Sequence, residues 1–186
     1  MTPPRIRKAH RVWGNTLVLV DAGVGFSGFI HHLRTDGGRA RFLHATSPAL
    51  ADQVAWLRAY AHRNEEAYFV VESRKGEALG TVRLVGSRGD TFSWGSWILK
   101  PGAPSTAAVE SALMVYTYAL DMLGFRECEL SVHVDNTRVC AFHERFGAVR
   151  AAQHGDDLTY FLSNAAIRAT LARYSRFLPN GITVEG

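Results

Sequence analysis

Two segments of this 186-residue chain combine small residues, a helix start and polar side chains in patterns that suit ligand binding. The first is the loop Lys100-Pro-Gly-Ala-Pro-Ser-Thr-Ala-Ala108, which follows an apolar strand and opens a helix. Unpaired amides and the positive end of the helix dipole coincide at such a start, so the loop could bind a phosphate. The contributors would be the side chains of Lys100, Ser105 and Thr106 and the amides of Thr106, Ala107 and Ala108. The alternative is a plain strand-to-helix connection capped by Ser105.

The second segment, Asn136 to Gly147, is typical of a strand end followed by a short helix. Asn136 stands at the helix N-cap, where its side chain could cap the helix, grip an amide-containing ligand, or do both. His143 lies within that helix, and an imidazole titrates near neutral pH, which suits proton transfer. A partly buried structural histidine is the alternative. His133 and His44 are weaker candidates for moving a proton.

Trp94 and Trp97 lie on a predicted strand, in the segment Ser93-Trp-Gly-Ser-Trp97. Side chains of a regular strand alternate between its two faces, so positions three apart should point to opposite sides. We therefore expect one tryptophan in the core and the other in a ligand cleft.

Composition favours one globular domain, with 47% hydrophobic and 20% charged residues. No apolar run approaches the ~20 residues that span a membrane, and no signal-peptide core follows the N-terminus, which favours a cytoplasmic location. The net charge of +4 suits either a plain solvated surface with scattered arginines or the attraction of small anionic ligands such as nucleotides. Nucleic acid is disfavoured because the chain has no Lys/Arg block and no recognisable binding motif. Cys128 and Cys140 lack metal-type spacing, so we predict buried free thiols and no metal site.

Periodicity and turn residues predict an α/β domain with a mixed sheet. The predicted strands are 17–20, 68–72, 79–85, 91–99, 126–135 and 159–162. The predicted helices are 29–33, 107–123, 137–146, 164–174 and one with Ser47 as N-cap and Pro48 at its first position. The predicted organisation is a basic tail over residues 1–15, one domain over 16–178 and a C-terminal tail over 179–186.

Residues 40–165 resemble the GNAT acetyltransferases, which transfer an acyl group from acyl-CoA to an amine. Three segments carry the resemblance: Gly76 to Arg83, Lys100 to Leu113, and Asn136 to Gly147. The last is similar to the family's ending, in which an Asn opens a helix that closes before a Gly. The segments Phe42-Leu-His-Ala-Thr-Ser47 and Trp94-Gly-Ser-Trp97 look closest to the bacterial branch that acts on amino sugars of nucleotide-sugar pathways for surface polysaccharides.

The resemblance implies a single α/β domain with a mixed, mostly antiparallel central sheet flanked by helices, and it implies acetyl-CoA as the cofactor. The amides from Ser105 to Val109 would bind the CoA pyrophosphate, and the strand end Trp97 to Leu99 would pair with the pantetheine arm. The implied cofactor-binding residues are Trp97, Ile98, Leu99, Lys100, Ser105, Thr106, Ala107, Ala108, Val109, Asn136 and Phe142. The implied substrate residues are Trp94 and His133.

The chemistry that the resemblance implies is direct attack of the amine on the thioester. A strand amide near Trp97 and Ile98 would stabilise the oxyanion. His143 stands where many members carry a general-acid tyrosine, and it could protonate the leaving thiolate or, as a neutral ring, donate one hydrogen bond to it. No glutamate on the strand 91–99 offers a general base, so the amine would lose its proton through water, His44 or His133.

The loop departs from the family pattern. Its matching positions are Ser105-Thr-Ala-Ala-Val-Glu110, without the usual Arg and Gly residues. A carboxylate at Glu110 would repel a pyrophosphate unless it points away or pairs with Arg or Lys.

These observations predict an acyl-CoA-dependent N-acetyltransferase for a primary amine of a small molecule, namely a nucleotide-linked amino sugar. Two alternatives stay open: a non-catalytic binding or sensor module of the same fold, and an enzyme that acetylates a protein or antibiotic amine. The predicted partner is the amine substrate, with no nucleic acid and no membrane span, and a homodimer is left open.

Overall fold

One nine-stranded sheet organises the chain in the computed structural model, which describes residues 3–38, 40–43 and 45–186. The strand order across the sheet is β7-β8-β6-β5-β4-β3-β2-β1-β9. The strands are β1 (Arg11–Trp13), β2 (Leu17–Asp21), β3 (Ala67–Ser73), β4 (Ala78–Arg88), β5 (Thr91–Leu99), β6 (Glu127–His133), β7 (Val149–His154), β8 (Asp157–Leu162) and β9 (Thr183–Glu185). The helices are α1 (Ser27–Thr35), α2 (Leu50–Ala61), α3 (Ala107–Thr117), α4 (Thr137–Arg145) and α5 (Asn164–Arg173).

The sheet is antiparallel at every described pairing except between β5 and β6, which are parallel. Parallel neighbours need a crossover connection, and α3 supplies it. The predicted fold class, a single α/β domain with a mixed and mostly antiparallel sheet flanked by helices, is confirmed.

Alternating residues of β3 divide the core between the two faces of the sheet. Phe69 and Val71 belong to the larger cluster that α3 covers, whereas Tyr68 and Val70 pack in a smaller cluster with Leu57 of α2. Each face is therefore closed by its own helices. The acidic and basic residues of α1 and α2 end up on the face opposite α3.

The segments predicted as tails carry two short strands. β1 pairs with both β2 and β9, so residues 11–13 and 183–185 belong to the sheet. Three-residue strands give too little alternation to be recognised in the sequence. The sequence analysis also missed β7, whose polar and small residues are mostly exposed.

Two helices differ from prediction at their ends. The helix α2 begins at Leu50 with Ala49 as N-cap, so the prediction that Ser47 caps it is wrong. The helix predicted over 107–123 ends as a regular α-helix at Thr117 and continues as one π-helical turn, Tyr118–Met122. Gly124 then terminates it with a φ of +85°, as a left-handed residue after a helix should.

The strand β5 contains a bulge that changes the direction of its side chains. Gly95 is paired with Arg83 and Ile98 with Thr81, so β5 holds one residue more than β4 across this stretch. Ser96 adopts a φ of +46° there, although it is not a glycine.

The bulge brings Trp94 and Trp97 to the same face, with ring centroids 5.3 Å apart. The prediction that they face opposite sides is therefore wrong, because it assumed unbroken alternation. Both cysteines are buried free thiols, as predicted. In the part of the chain that is described, no helix combines the length and the apolar character needed to cross a bilayer.

Candidate active site

A groove opens where β5 and β6 separate. The two parallel strands pair only at Thr91 with Glu127 and at Phe92 with Cys128, and beyond that point they diverge. A cavity of about 410 Å³ follows this divergence. Its walls are Trp97, Ile98 and Leu99 on one side and residues 135–139 on the other, with Ala108 at the α3 end and Gly38 and residues 41–43 above.

The start of α3 supplies free backbone donors beside this groove. The amide of Ala107 donates to the carbonyl oxygen of Pro104 and that of Glu110 to Thr106. Among the described hydrogen bonds, the amides of Ala108 and Val109 have no acceptor. No side chain caps the helix, so the positive end of its dipole is open to a ligand.

Glu110 does not oppose an anion at this helix start. Its side chain is only 1% exposed and points towards the beginning of β2. Oε1 accepts hydrogen bonds from the amides of Thr16 (2.7 Å) and Leu17 (3.0 Å), and Oε2 accepts one from the Thr16 hydroxyl (2.5 Å). These hydrogen bonds hold the Glu110 carboxylate against the beginning of β2. It therefore does not repel a phosphate at the start of α3, although the sequence suggested repulsion.

Asn136 occupies the N-cap of α4, as predicted, but its side chain makes no capping hydrogen bond. Its carbonyl oxygen instead accepts from the amides of Val139 and Cys140. The side-chain amide therefore remains available in the wall of the groove, where it can pair with an amide of a ligand.

His143 lies beneath the groove in an aromatic cluster. The ring is 4% exposed and contacts Trp94, Trp97 and Phe142, with centroids 5.4, 6.0 and 5.6 Å away. Burial lowers the pKa of His143 to about 4, and its Nδ1 has no hydrogen-bond partner among the described residues. The ring is therefore neutral at pH 7, which argues against an imidazolium acid.

A second cavity, of about 330 Å³, lies on the other face of the sheet. Charged and polar side chains of α1, α2, β4 and the segment before α2 surround it, and Trp56 and Tyr68 add aromatic surface. The lining residues are Arg34, Ala45, Thr46, Ser47, Asp52, Gln53, Trp56, Tyr68, Arg83 and Ser96.

The polar groups of this second cavity are held in place. Arg34 donates from Nε to the Thr46 hydroxyl (2.8 Å) and from a terminal nitrogen to Ser96 (3.5 Å). Arg83 forms an ion pair with Glu66, and its guanidinium lies 5.0 Å from the Trp56 ring. The charge of Arg83 is thus balanced by Glu66, and Arg34 is the cation that favours an anionic group in a ligand.

Tyr68 contributes a buried hydroxyl to the same cavity. The residue is 2% exposed, and its oxygen has no hydrogen-bond partner within the described part of the chain. Burial raises the pKa of Tyr68, and the charge of Arg34 opposes that shift. A neutral phenol has both a donor and an acceptor to offer a polar ligand.

The two cavities are lined by neighbouring residues at the bulge of β5. Ser96 lines the second cavity and Trp97 lines the groove, so consecutive residues face the two spaces. The side chain of Ser96 binds Arg34, and its carbonyl oxygen accepts a hydrogen bond from the Thr81 hydroxyl (2.8 Å). A group transferred between ligands in the two cavities would pass this point.

The structure brings part of the predicted site together in the groove, namely Trp97, Ile98, Leu99, Ala108 and Asn136. The remaining residues of the α3 start, Ser105, Thr106, Ala107 and Val109, lie next to Ala108 but do not line the cavity.

Other predicted site residues lie elsewhere. Lys100 forms an ion pair with Glu77 instead of facing the groove. Phe142 is buried and stacks on Phe146, with centroids 4.2 Å apart. Trp94 is 4% exposed and lines neither cavity, so the structure gives no support to a substrate contact there.

The histidines predicted to move a proton are not assembled with the second cavity. His133 lies beside Phe42, near the groove, with ring centroids 5.4 Å apart. His44 lies outside the described residues.

The charged residues that line the two cavities were not predicted: Arg34, Asp52 and Arg83 in one, and Arg41, Asp135 and Arg138 in the other. Each lies alone in the sequence among ordinary helix or strand residues, so no local spacing marks it. The Gly-rich stretch before Arg34 and the Ser-Pro before Asp52 were the available signals, and both also suit plain turns.

Residues 26–149 match the family model described as "Acetyltransferase (GNAT) domain". The chain therefore belongs to the GNAT N-acetyltransferases, a family that uses acetyl-CoA. No curated protein sequence matches it.

Solved structures agree with this membership. An apo structure described as FdhC, a nucleotide-linked sugar GNAT, has a TM-score of 0.80 at 30% identity and covers 94% of this chain and 99% of its own. Two others are similar in fold at lower identity. They are a GCN5-related N-acetyltransferase from Brucella melitensis (TM-score 0.75, 20% identity, 92% and 88% covered) and the spermidine N-acetyltransferase from Vibrio cholerae with CoA and spermine (0.73, 19%, 82% and 98%).

Proposed function

We propose that this chain transfers an acetyl group from acetyl-CoA to the primary amine of a nucleotide-linked amino sugar. The observation that carries the proposal is the close approach of two cavities at the β5 bulge, where the consecutive residues Ser96 and Trp97 line one cavity each. One cavity suits an acyl-CoA, and the other suits a polar acceptor that carries negative charge.

The groove fits an acyl-CoA through backbone and side-chain groups. The pantetheine arm would lie along Trp97 and Ile98, with the Asn136 amide opposite. The free amides of Ala108 and Val109 would bind the pyrophosphate at the start of α3.

Two arginines of the groove compensate for the arginine that the loop lacks. Arg41 and Arg138 line opposite sides of the groove, one from the segment above it and one from the first turn of α4. A guanidinium on each side suits the phosphates of CoA, since Arg binds phosphate oxygens in a bidentate manner.

The second cavity supports an acceptor that combines an amine with anionic groups. Because Arg83 is paired with Glu66, the remaining charged lining residues of the cavity are Arg34 and Asp52, so the cavity has no excess of negative charge to hold a polycation such as spermidine. The Trp56 ring offers a flat apolar surface for a sugar or base. The likeness to FdhC, whose description names nucleotide-linked sugars, supports the same acceptor class.

Direct transfer suits this arrangement because no nucleophilic side chain is needed. The amine attacks the thioester carbonyl at the β5 bulge, and an amide near Trp97 and Ile98 stabilises the oxyanion. His143, neutral at pH 7, is assigned a single hydrogen bond towards the leaving sulfur in place of proton donation.

A panel of amines with detection of thiol release tests the proposal. The panel contains UDP- and dTDP-linked 3-amino and 4-amino deoxyhexoses, spermidine, an aminoglycoside and a peptide with a free N-terminus. We expect thiol release and mass-verified acetylation with at least one nucleotide-linked amino sugar, at a kcat/KM above that of the other amines. Acetylation of the peptide or aminoglycoside alone, or of no amine, contradicts it.

A further inference from the structure

The acceptor cavity has to supply a group that removes a proton from the substrate, and this inference rests on the proposed function. An alkyl primary amine has a pKa near that of lysine, about 10.4, so it enters at neutral pH as an ammonium ion. An ammonium has no lone pair and cannot attack a thioester. A nearby base that accepts one proton therefore contributes directly to the rate.

Carboxylates near the second cavity differ in their availability. Both oxygens of Glu66 are engaged, Oε1 by Arg63 (3.1 Å) and Oε2 by Arg83. Among the described residues that line the cavity, Asp52 is the one carboxylate, and no described histidine lines it.

Ser47 holds the Asp52 carboxylate in a defined orientation. The Ser47 hydroxyl donates a hydrogen bond to Oδ2 of Asp52 (2.5 Å) and accepts one from the amide of Ala49 (3.2 Å). Because the hydroxyl has a single proton, this proton is committed to Asp52. The other oxygen, Oδ1, has no partner among the described hydrogen bonds.

The other groups around Asp52 come from several elements of the fold. Asp52 itself lies in the first turn of α2 at an exposed position. Two other charged groups line the cavity, Arg34 from α1 and Arg83 from β4, while β3 contributes the phenol of Tyr68 and β5 the hydroxyl of Ser96. The charge of Arg34 disfavours the ammonium form of a bound amine, whereas the charge of Arg83 is balanced by Glu66.

We infer that Asp52, positioned by Ser47, is the catalytic base that takes a proton from the acceptor ammonium. The ammonium passes one proton to Oδ1 and becomes a neutral amine. Its nitrogen then forms a bond with the thioester carbonyl carbon, and the bond between that carbon and sulfur breaks. The second proton leaves the nitrogen for the thiolate, and Asp52 returns its own proton to solvent.

The test compares Asp52→Asn with the wild type on the best acceptor of the amine panel, across pH 5.5 to 9.5. We expect kcat to fall by about 10² to 10³-fold at pH 7, the lower part of the range for loss of a general base. The rate of the variant should then rise with pH as solvent hydroxide replaces the base. Ser47→Ala should lower kcat by about 10-fold, since the base loses its orientation but remains present.

Three controls separate this role from others. Calorimetric titration with acetyl-CoA should give the wild-type affinity for both variants, which shows that fold and donor site are intact. Asp157→Asn, at an exposed position of β8, should leave the pH profile unchanged. His44→Gln tests the rival histidine and should retain most of the turnover.

The outcomes distinguish this inference from the proposed function. If the wild type acetylates a nucleotide-linked amino sugar and Asp52→Asn keeps kcat within about threefold, or raises KM alone, Asp52 binds the substrate without acting as the base. The assignment of Asp52 is also overturned if His44→Gln, and not Asp52→Asn, lowers kcat at pH 7 with recovery at higher pH. A wild type that acetylates no amine would overturn both proposals.

Discussion

The carboxylate of Glu110 accepts three hydrogen bonds from the start of β2, and this fixes what its charge does. From the sequence alone, the same residue is the last of the positions that match the family's phosphate loop, and its charge suggests repulsion. Contacts with residues more than 90 positions away give Glu110 a structural role instead of an effect on anion binding, and no local sequence pattern reveals these contacts. His143 is a parallel case, because burial rather than residue type sets its protonation.

Replacing Glu110 by Ala should destabilise the fold without abolishing acetyl-CoA binding. The amides of Thr16 and Leu17 would lose their acceptor, and unpaired buried donors next to a lost charged group cost about 3 kcal/mol. Urea unfolding measures the loss. The matched control is Glu127→Ala, which removes one hydrogen bond from the Thr91 hydroxyl and should cost less than about 1 kcal/mol. Equal losses for the two variants would contradict the structural role.

The depressed pKa of His143 predicts a pH dependence of stability. With a pKa of about 4 in the folded state and the ordinary 6.5 when unfolded, the unfolded chain binds more protons between these values. The contribution of His143 to the free energy of unfolding is fully present above pH 6.5. It is lost as pH falls towards 4, by about 3 kcal/mol in total. His143→Phe should flatten this part of the profile, measured as the free energy of unfolding against pH. An unchanged slope in the variant would contradict the burial of a neutral ring.

At the scale of elements, regular periodicity predicted most helices and strands. It did not predict the bulge in β5 or the short strands β1 and β9. Strand 91–99 was predicted with its observed bounds, yet the bulge at Ser96 reversed the expected direction of Trp97. A bulge depends on how β5 pairs with β4, which a single strand's sequence does not contain. The same limit applies to β1 and β9, which are strands because they pair with each other.

Substitutions at Ser96 should separate backbone conformation from side-chain contact. A β-branched residue is strained at a φ of +46°, so Ser96→Val should destabilise the protein by about 1–3 kcal/mol and lower kcat at least 10-fold by shifting the bulge. Ser96→Gly adopts this conformation without strain and should keep the wild-type stability within about 1 kcal/mol. Thermal unfolding and steady-state kinetics measure both. Tolerance of Val would show that the bulge does not control the approach of the two cavities.

At the scale of the whole molecule, the two faces of the sheet do different work. The α3 face carries the larger core and opens into the groove proposed for the donor, whereas the α1 and α2 face carries the cavity proposed for the acceptor. The sequence indicated the donor side because its loop and Asn136 are contiguous motifs. Its signals for the acceptor side were weaker, because residues 34, 52, 83 and 96 are brought together only by folding.

The position of Arg138 in the wall of the groove predicts that its charge strengthens acetyl-CoA binding. Arg138→Gln should weaken acetyl-CoA binding by about 3–10-fold, the size expected for one partly exposed charge pair, and the deficit should shrink at high salt. Arg150→Gln, on the edge strand β7, is the control and should leave the affinity unchanged. An equal affinity for Arg138→Gln at low salt would remove this arginine from the donor site.

Calorimetric titration of acetyl-CoA into the wild-type protein tests the central claim most directly. The free amides of α3, the Asn136 side chain and the groove between β5 and β6 predict saturable binding with one site per chain, despite the missing loop glycines. Absence of heat and of any thermal shift at millimolar acetyl-CoA would contradict the account and favour a non-catalytic module built on the same fold.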